Sequence, residues 1–407
     1  MEAWRLFCSL DRTQRATFVA CFLGWALDAF DFFLLTFVVT PIAEEFGRTV
    51  ADVGWAIALT LMLRPVGALI FGLLGDRFGR RLPLMIDIVF YSAMELLTAF
   101  APSFTVLLIL RALYGIGMGG EWGLGASLAM ESLPAKARGL FSGILQQGYA
   151  FGYLLAAVVY WIVFPHFGWR GLFVAGAAPA LLVIFIRARV PESPAWKKPA
   201  QDFTGATLKA FRRALPLFVY VVLLMTAFNY MSHGTQDLYQ TFLEKQRGLT
   251  VNQKSIVGIT YAIGALCGGT VFGHFSQQWG RRRAIIVAAI GGLVLIPLWA
   301  FSPTLSLLIL GGFLMQFMVQ GAWGIVPVHL NELSPDSLRG TFPGLAYQLG
   351  NFFAANAAVV EAKLAVAFRD SSNQPNYAKA LAFFIAAVFV ALIILAAVGR
   401  EERGRKF

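Results

Sequence analysis

The 407-residue sequence predicts an all-α membrane protein: twelve transmembrane helices in two six-helix bundles related by a parallel pseudo-two-fold. Three observations carry this. Hydrophobic residues make up 58% of the chain and charged ones 14%, with a mean hydropathy of +0.68; a soluble domain is about a quarter charged. Apolar runs long enough to cross ~30 Å of hydrocarbon at ~1.5 Å per residue recur from end to end. The two halves also align on each other at one constant offset. This composition excludes disorder, coiled coil and a disulfide-rich scaffold, and 37 Phe with 10 Trp exceed what a soluble core of this size could hide.

In chain order the runs are 16–40, 51–74, 82–101, 104–130, 139–164, 169–188, 215–243, 253–276, 283–301, 304–330, 339–366 and 377–399. Backbone groups in lipid must be satisfied within the segment, so the runs are helices, and they are too long for barrel strands. The links are short except the polar segment 189–214. This predicts an N-terminal bundle over 1–188, a cytoplasmic linker over 189–214 and a C-terminal bundle over 215–407. Residues 1–15 are polar and the first run is too long for the apolar core of a signal peptide, so it reads as a retained helix.

The net charge of +11 sets the orientation. With both ends cytoplasmic, the inside segments hold 23 of the 33 Lys and Arg, among them Arg77, Arg80, Arg81, Lys197, Lys198, Arg281, Arg282 and Arg283, and eight fall outside. Such an excess marks the cytoplasmic side. Charge dealt to alternate loops is not the one-sided stripe of a nucleic-acid-binding protein, so the expected surroundings are the lipid bilayer and no nucleic acid. Cys8, Cys21 and Cys267 form no CxxC and no even framework, and unpaired thiols are expected.

At a shift of 201 residues, Gly72-Leu-Leu-Gly-Asp76-Arg77-Phe-Gly79-Arg80-Arg81 overlays Gly273-His-Phe-Ser-Gln277-Gln-Trp-Gly280-Arg281-Arg282. Glu131, Pro134, Arg138 and Gly139 meet Glu332, Pro335, Arg339 and Gly340; Trp122 meets Trp323, Gln147 meets Gln348, and Asp28 meets Asn229. Two copies of six spans each have the same orientation, the parallel repeat of a transporter with its substrate at the midplane interface. The loop G-x-L-x-D-R-x-G-R-R resembles the signature of the major facilitator superfamily, and Pro191-Glu192-Ser193-Pro194 resembles another of its recurrent elements. The resemblance covers essentially the whole chain. It assigns Gly72, Asp76, Arg77, Gly79 and Arg80 to conformational gating; Gln277 in place of Asp76 makes the second copy unequal.

Two motifs point elsewhere and fail. Gly115-Ile-Gly117-Met-Gly119-Gly120 satisfies GxGxxG, but it lies mid-way in an apolar helix with no preceding strand, so it reads as close packing. Asp28-x-x-Asp31 lacks the second acidic cluster of a diphosphate-processing enzyme, and no enzyme is expected.

Ionisable residues inside the spans are costly and therefore informative. The basic ones are Arg64 and Arg111. Arg64 stands near the midplane, where its fork matches a carboxylate bidentately, and no acid lies one helical turn from it. Arg111 sits nearer the outside, at about the depth of Asp31. Asp31, Asp87, Glu95 and Glu121 are candidate structural partners for both arginines, and a carboxylate–Arg111 pair can itself be a proton switch. Asp28 and Asp31, three apart, share a helix face. In the seventh run Asn229, His233, Asp237 and Thr241 fall at i, i+4, i+8 and i+12, with Gln236 and Gln240 on the adjoining row. Such a polar stripe must line a water-filled cavity. His233 and Asp237 have no further His or Cys at ligand spacing, so no metal site is expected.

Asn229, Ser232, His233, Thr235, Gln236, Asp237 and Thr241 match every fixed position of N-x-x-[ST]-H-x-[ST]-Q-D-x-x-x-T. That motif is the signature of the fungal lactate–proton symporters, in the sialate:proton symporter branch of the superfamily. The resemblance implies that Arg64 binds the substrate carboxylate, that Gln348 and Asn351 form a polar recognition pair, and that Tyr149 or Phe151 supplies an aromatic contact. Asn229, His233, Gln236 and Gln147, the repeat mate of Gln348, join the substrate set. Asp28, Asp31, Arg111, Glu121, His233 and Asp237 form the proton-coupling set. The fungal proteins' long terminal extensions have no counterpart here, which suggests a bacterial protein of the inner membrane with both termini cytoplasmic. The expected function is proton-coupled symport of a small monocarboxylate such as lactate or pyruvate, by a monomer. No ATP motif is present, so no cofactor is expected and the proton gradient supplies the energy. The alternatives are a larger acid, such as sialic acid or an aromatic carboxylate, on the same fold, and a non-transporting membrane receptor.

Overall fold

The computed structural model describes residues 2–197, 202–369 and 373–407, and Lys198 of the expected linker lies outside the described residues. The described chain is helical, with no strand. Eleven helical stretches in it are long and apolar enough to cross a bilayer, and one of them, Arg138–Arg189, carries the fifth and sixth expected spans together. The two are divided at Gly168, whose φ of 61° turns the chain just after Pro165; glycine takes that conformation without a Cβ penalty. Counted this way the spans number twelve, in the all-α fold that the composition predicts.

The first span is Arg12–Phe37, the second Val50–Phe78, the third Arg81–Ala99 and the fourth Phe104–Ser132. The fifth begins as Arg138–Gln146 and resumes at Gly148, and the sixth ends as Ala180–Arg189. The seventh is Phe203–Gln236 followed by Tyr239–Lys245, the eighth Val251–Trp279 and the ninth Arg281–Ala300. The tenth is Leu305–Trp323 with Val326–Leu333, the eleventh Phe342–Ala354 with Ala357–Ala367, and the twelfth Tyr377–Val398. Part of the segment expected as linker is helix, starting at Phe203. Asp202 accepts from Gly205 N at 2.9 Å and caps it, and a hydropathy window does not register a polar helical turn.

The sequence repeat extends to the helix ends. Thr49 with Asp52 and Thr250 with Gln253 build the same capping box on the second and eighth spans, and Ser103 and Thr304 cap the fourth and tenth. Each cap satisfies an amide that lacks an intrahelical acceptor. Gly79 and Gly280 end the second and eighth spans at φ 93° and 94°. Packing within each half also repeats. The second span lies on the fourth and the first on the fifth; the eighth lies on the tenth and the seventh on the eleventh. The GxGxxG run serves this packing: Gly115 abuts Thr60, Gly117 abuts Tyr91 and Gly119 abuts the Arg64 backbone. Small residues let the helix backbones approach, as membrane helix pairs require.

Among the described residues, the main contacts between the halves lie on the face carrying Arg80 and Arg281. There Phe342–Ala354 packs on the second and fourth spans, Val326–Leu333 on the fourth, and Arg138–Gln146 on the eighth. Glycine faces glycine where they come closest: a Cβ on Gly123 would stand 2.8 Å from Gly344 Cα, and one on Gly139 would stand 2.6 Å from Gly273 O. Asp76 crosses the seam, accepting from Gly340 N at 2.7 Å, Thr341 N at 3.1 Å and Thr341 Oγ1 at 2.7 Å. Away from this face the bundles splay, and His233, Asp237 and Gln240 are open to solvent between them.

Behind the seam each half holds a buried ion cluster. Arg80 bonds Asp76 at 3.0 Å and Glu131 at 3.1 Å; Arg281 bonds Glu332 at 2.9 Å and Gln277 Oε1 at 2.8 Å. Gln277 thus reproduces the bond to arginine without the charge. Of the candidate gating residues, Gly72, Asp76, Gly79 and Arg80 meet in this region. Arg77 stands apart, its guanidinium 5.1 Å from the Phe78 ring centroid and 5.8 Å from that of Phe203. Glu192 accepts from Arg80 N at 2.6 Å and Arg81 N at 3.2 Å, while Glu401 accepts from Arg281 N at 3.1 Å and Arg282 N at 3.0 Å.

Glu332→Ala leaves Arg281 buried with neutral partners only, and breaking such a pair costs about 3–5 kcal/mol. Glu131→Ala leaves Arg80 its Asp76 partner. Glu131 also lies 3.5 Å from Arg339, which keeps Asp336. In thermal unfolding of the purified protein, Glu332→Ala should lower the midpoint more than Glu131→Ala; equal losses would show that Asp76 and Asp336 do not hold the two arginines that Glu131 leaves.

Candidate functional site

The second span carries Arg64 into the space between the bundles one residue before Pro65, and its side chain is 4% exposed. Asp28 from the first span lies 3.9 Å from Arg64 Nη2, beyond hydrogen-bond length. Arg64 Nε and Nη2 and both Asp28 carboxylate oxygens have no hydrogen-bond partner among the described residues. The Phe32 ring stands 5.9 Å from the guanidinium. The acid beside Arg64 comes from another helix, since none lies one turn away on its own, and it is Asp28 rather than one of the four candidate partners. A buried guanidinium with unmet donors costs about 1–3 kcal/mol for each, so the site favours an anion that accepts from them.

Arg111 is settled differently. It bonds Glu95, one of its four candidate partners, and reaches Thr98 Oγ1 at 3.1 Å, with the Tyr114 and Phe173 ring centroids at 4.3 and 5.1 Å. Asp31 and Glu95 meet at Gly176, their oxygens 3.2 and 3.1 Å from where a Cβ would stand. Glu121 turns toward the first span and Gly125, and Asp87 is within electrostatic reach of Glu121 and Asp28. Asp28, Asp31, Asp87 and Glu121 are all fully buried, and none of their carboxylate oxygens has a partner among the described residues.

The aromatic candidates separate by face. Tyr149 stacks on Trp25 at 5.4 Å and meets Phe33 edge-on at 5.1 Å; its hydroxyl is within electrostatic reach of Arg64. Phe151 is exposed in line with Leu154, Val158 and Trp161, the face that lipid covers. Of the two, Tyr149 is the one beside Arg64.

The seventh span contributes from the other bundle. Its polar stripe is not one unbroken helix: Phe203–Gln236 ends, and a turn at Asp237 and Leu238 leads into Tyr239–Lys245. His233 Nδ1 lies 3.1 Å from Asp237 Oδ2 and His233 Nε2 3.4 Å from Asn351 Oδ1, which joins three residues of the predicted set. Gln236 Nε2 donates to Ser232 Oγ at 3.0 Å and to Gln316 Oε1 at 3.4 Å. Asn229 spends an amide proton on Met225 O. Gln348 is buried with both amide atoms unpartnered, and Gln147 Nε2 is unpartnered at the break of the fifth span. Toward the closed face, Tyr347 stacks on Trp122 at 4.5 Å and forms an aromatic floor with Trp323. Sequence reading missed Gln316, Tyr347 and Glu361; for Gln316 and Glu361 the available signal was a polar residue inside an apolar run. No group of three His, Cys, Asp or Glu able to hold a metal occurs among the described residues.

Profiles of known families match both halves: Major Facilitator Superfamily over residues 21–241 and Sugar (and other) transporter over residues 210–398. The chain belongs to the major facilitator superfamily. It is an integral, multi-pass membrane protein of a transporter family, not an enzyme. Within the superfamily it is 33% identical to a carboxylic acid transporter protein homolog of Saccharomyces cerevisiae, over 94% of this chain and 67% of that one. It is 29% identical to the sialic acid transporter NanX of Escherichia coli over 86% of each. The solved proton:xylose symporter XylE superposes with a TM-score of 0.75 at 18% identity, covering 96% of this chain and 97% of that one, a likeness of fold alone.

Tyr149→Ala should destabilise by at least the ~1 kcal/mol that an aromatic pair adds to its burial, and Phe151→Ala should leave the thermal midpoint near wild type. The reverse order in detergent-solubilised protein would exchange their faces.

Proposed function

We propose that the protein couples uptake of a small organic acid to proton entry by alternating access. The observation that carries this is Arg64: a buried guanidinium with unmet donors, within electrostatic reach of Tyr149 in its own bundle and of Tyr347 in the other. A carboxylate entering from the open face takes the Arg64 fork bidentately, beside Tyr149. Gln348 and Gln147 have free amide groups for a hydroxyl or keto oxygen, and Asn351 and His233 border the same space. Reading the Arg80–Arg281 face as cytoplasmic, from its excess of Lys and Arg, makes this conformation outward-open and puts both termini inside, in a cytoplasmic or bacterial inner membrane. The relative that carries carboxylic acids and the signature of the seventh span favour the small monocarboxylates of the lactate and pyruvate class and the sialate:proton symporter branch.

Proton coupling follows from competition. Asp28 and the substrate carboxylate compete for the same guanidinium. A proton on Asp28 frees Arg64 for the substrate, and a bound substrate removes the charge that opposed protonation; the coupling is reciprocal. His233–Asp237 is the corresponding pair of the second bundle, and Asp31, Glu95, Arg111 and Glu121 extend the acidic path in the first. A second reading, a larger acid such as sialic acid, has the NanX relative in its favour.

Thermal shifts of the purified protein with lactate, pyruvate, acetate, succinate and sialic acid separate the two readings. In proteoliposomes, Arg64→Ala should abolish counterflow of the stabilising acid; normal counterflow would end the carboxylate assignment. Asp28→Asn mimics the protonated acid and should bind that substrate with an affinity that no longer falls as pH rises. An unchanged pH dependence would move the proton site elsewhere.

A further inference from the structure

We propose that Glu361 is a proton-binding residue of the second bundle, loaded and unloaded through the His233–Asp237 pair. The inference rests on the proton-coupled reading above and adds a site to it. Glu361 lies on Ala357–Ala367, the outer segment of the eleventh span; it is fully buried, and neither carboxylate oxygen has a hydrogen-bond partner among the described residues. A carboxylate ionised there without a donor is prohibitive, so the group is neutral until a partner is supplied.

Its surroundings select the partner. From the seventh span, Gly234 faces it: Glu361 Oε1 lies 3.3 Å from where a Cβ on Gly234 would stand, and the Phe384 ring of the twelfth span closes the same spot. A Cβ at 234 would overlap the Phe384 ring at 2.6 Å and crowd the acid. His233 is the residue before Gly234, and Asp237 lies one turn on. Tyr261 of the eighth span donates its hydroxyl to Thr235 O at 3.0 Å and is within electrostatic reach of Glu361, as is Asp237. Lys363 on the same segment and Lys379 on the twelfth span are both exposed. Asp237 is therefore the charge that Glu361 feels. Its side chain is 35% exposed to the cavity and shares a hydrogen bond with His233.

The route has two stages. A proton from cavity water reaches the His233–Asp237 pair, and an Asp237 carboxyl then exchanges it with Glu361: Asp237-COOH and Glu361-COO⁻ become Asp237-COO⁻ and Glu361-COOH. One proton moves and no other bond changes. The location gives the step a consequence. Glu361 lies one turn beyond the break of the eleventh span at Ala355–Asn356, and Tyr230 of the seventh span, ahead of that span's own break at Asp237–Leu238, holds the eleventh there by donating to Asn356 Oδ1 at 2.7 Å and Phe353 O at 3.1 Å. Charge on Glu361 acts on the outer segments of the seventh and eleventh spans, which must close for the cavity to change sides.

The test compares wild type and Glu361→Gln in proteoliposomes, using radiolabelled lactate, or sialic acid if that is the acid wild type exchanges. Glu361→Gln should retain counterflow, which needs no net proton movement. It should lose about tenfold in accumulation per proton removed from the cycle under a one-unit pH gradient, the factor that one pH unit is worth. Wild-type accumulation in Glu361→Gln overturns the proposal. A wild type that exchanges substrate but ignores the gradient overturns the proton-coupled reading itself. If the variant does not insert, wild-type protein treated with a hydrophobic carbodiimide, which modifies protonated buried carboxyls, decides the matter by mass spectrometry. Label on Glu361 that declines as pH rises is expected; label that is absent or indifferent to pH overturns the proposal.

Discussion

In hydrocarbon a charged side chain persists only beside a partner, and that constraint orders the polar interior of this protein. Arg80 and Arg281 are held by carboxylate or amide oxygens at 2.8–3.1 Å, and Arg111 is bonded to Glu95 between two aromatic rings. These arginines are spoken for and hold helices together. Arg64 departs from the pattern, with a carboxylate near enough to stabilise its charge and too far to fill its donors. A transporter needs such an incomplete pair: full pairing would exclude the substrate, and no pairing would keep the residue from being buried.

The two halves share caps, glycine contacts and buried arginines, yet they differ where work is done. Asp76 carries a charge and accepts from three donors of the other half, whereas Gln277 is neutral and holds Arg281 within its own half. One half supplies a charged latch and the other a neutral brace. The same division recurs deeper in the membrane. Arg64 has Ala265 as its repeat mate, Arg111 has Gly312 and Glu121 has Ala322, so the buried cations and most of the acids belong to the first bundle. The second bundle offers amides, a histidine and the unpartnered Glu361.

The fold was legible because bilayer thickness and backbone satisfaction leave few alternatives, and because one 201-residue offset carries both copies. Of the candidate site, residue type alone selected Arg64, His233, Asp237 and Asn351, and three of these four stand within bonding distance of one another. What sequence could not supply was adjacency between helices. Asp28 beside Arg64 and Asp31 beside Glu95 are contacts between residues tens of positions apart, with no spacing to announce them. Breaks were equally hidden. The turn at Leu238 interrupts an i+4 ladder without proline or glycine at that position, since the irregular backbone borders the cavity rather than lipid. Glu361 escaped notice because its own helix shows no polar stripe; its company comes from the seventh span.

The glycine-to-glycine seam on the closed face has a mechanical meaning. Where Gly123 meets Gly344 and Gly139 meets Gly273, backbone faces backbone, so at these two points the bundles can roll apart without a side chain leaving a pocket. The seam behaves as a bearing, with backbone as its race. Friction is low, and the preference for one orientation over the other falls to a few polar bonds at the rim, chiefly those of Asp76. A device balanced this way can be tipped by a single proton or a single anion.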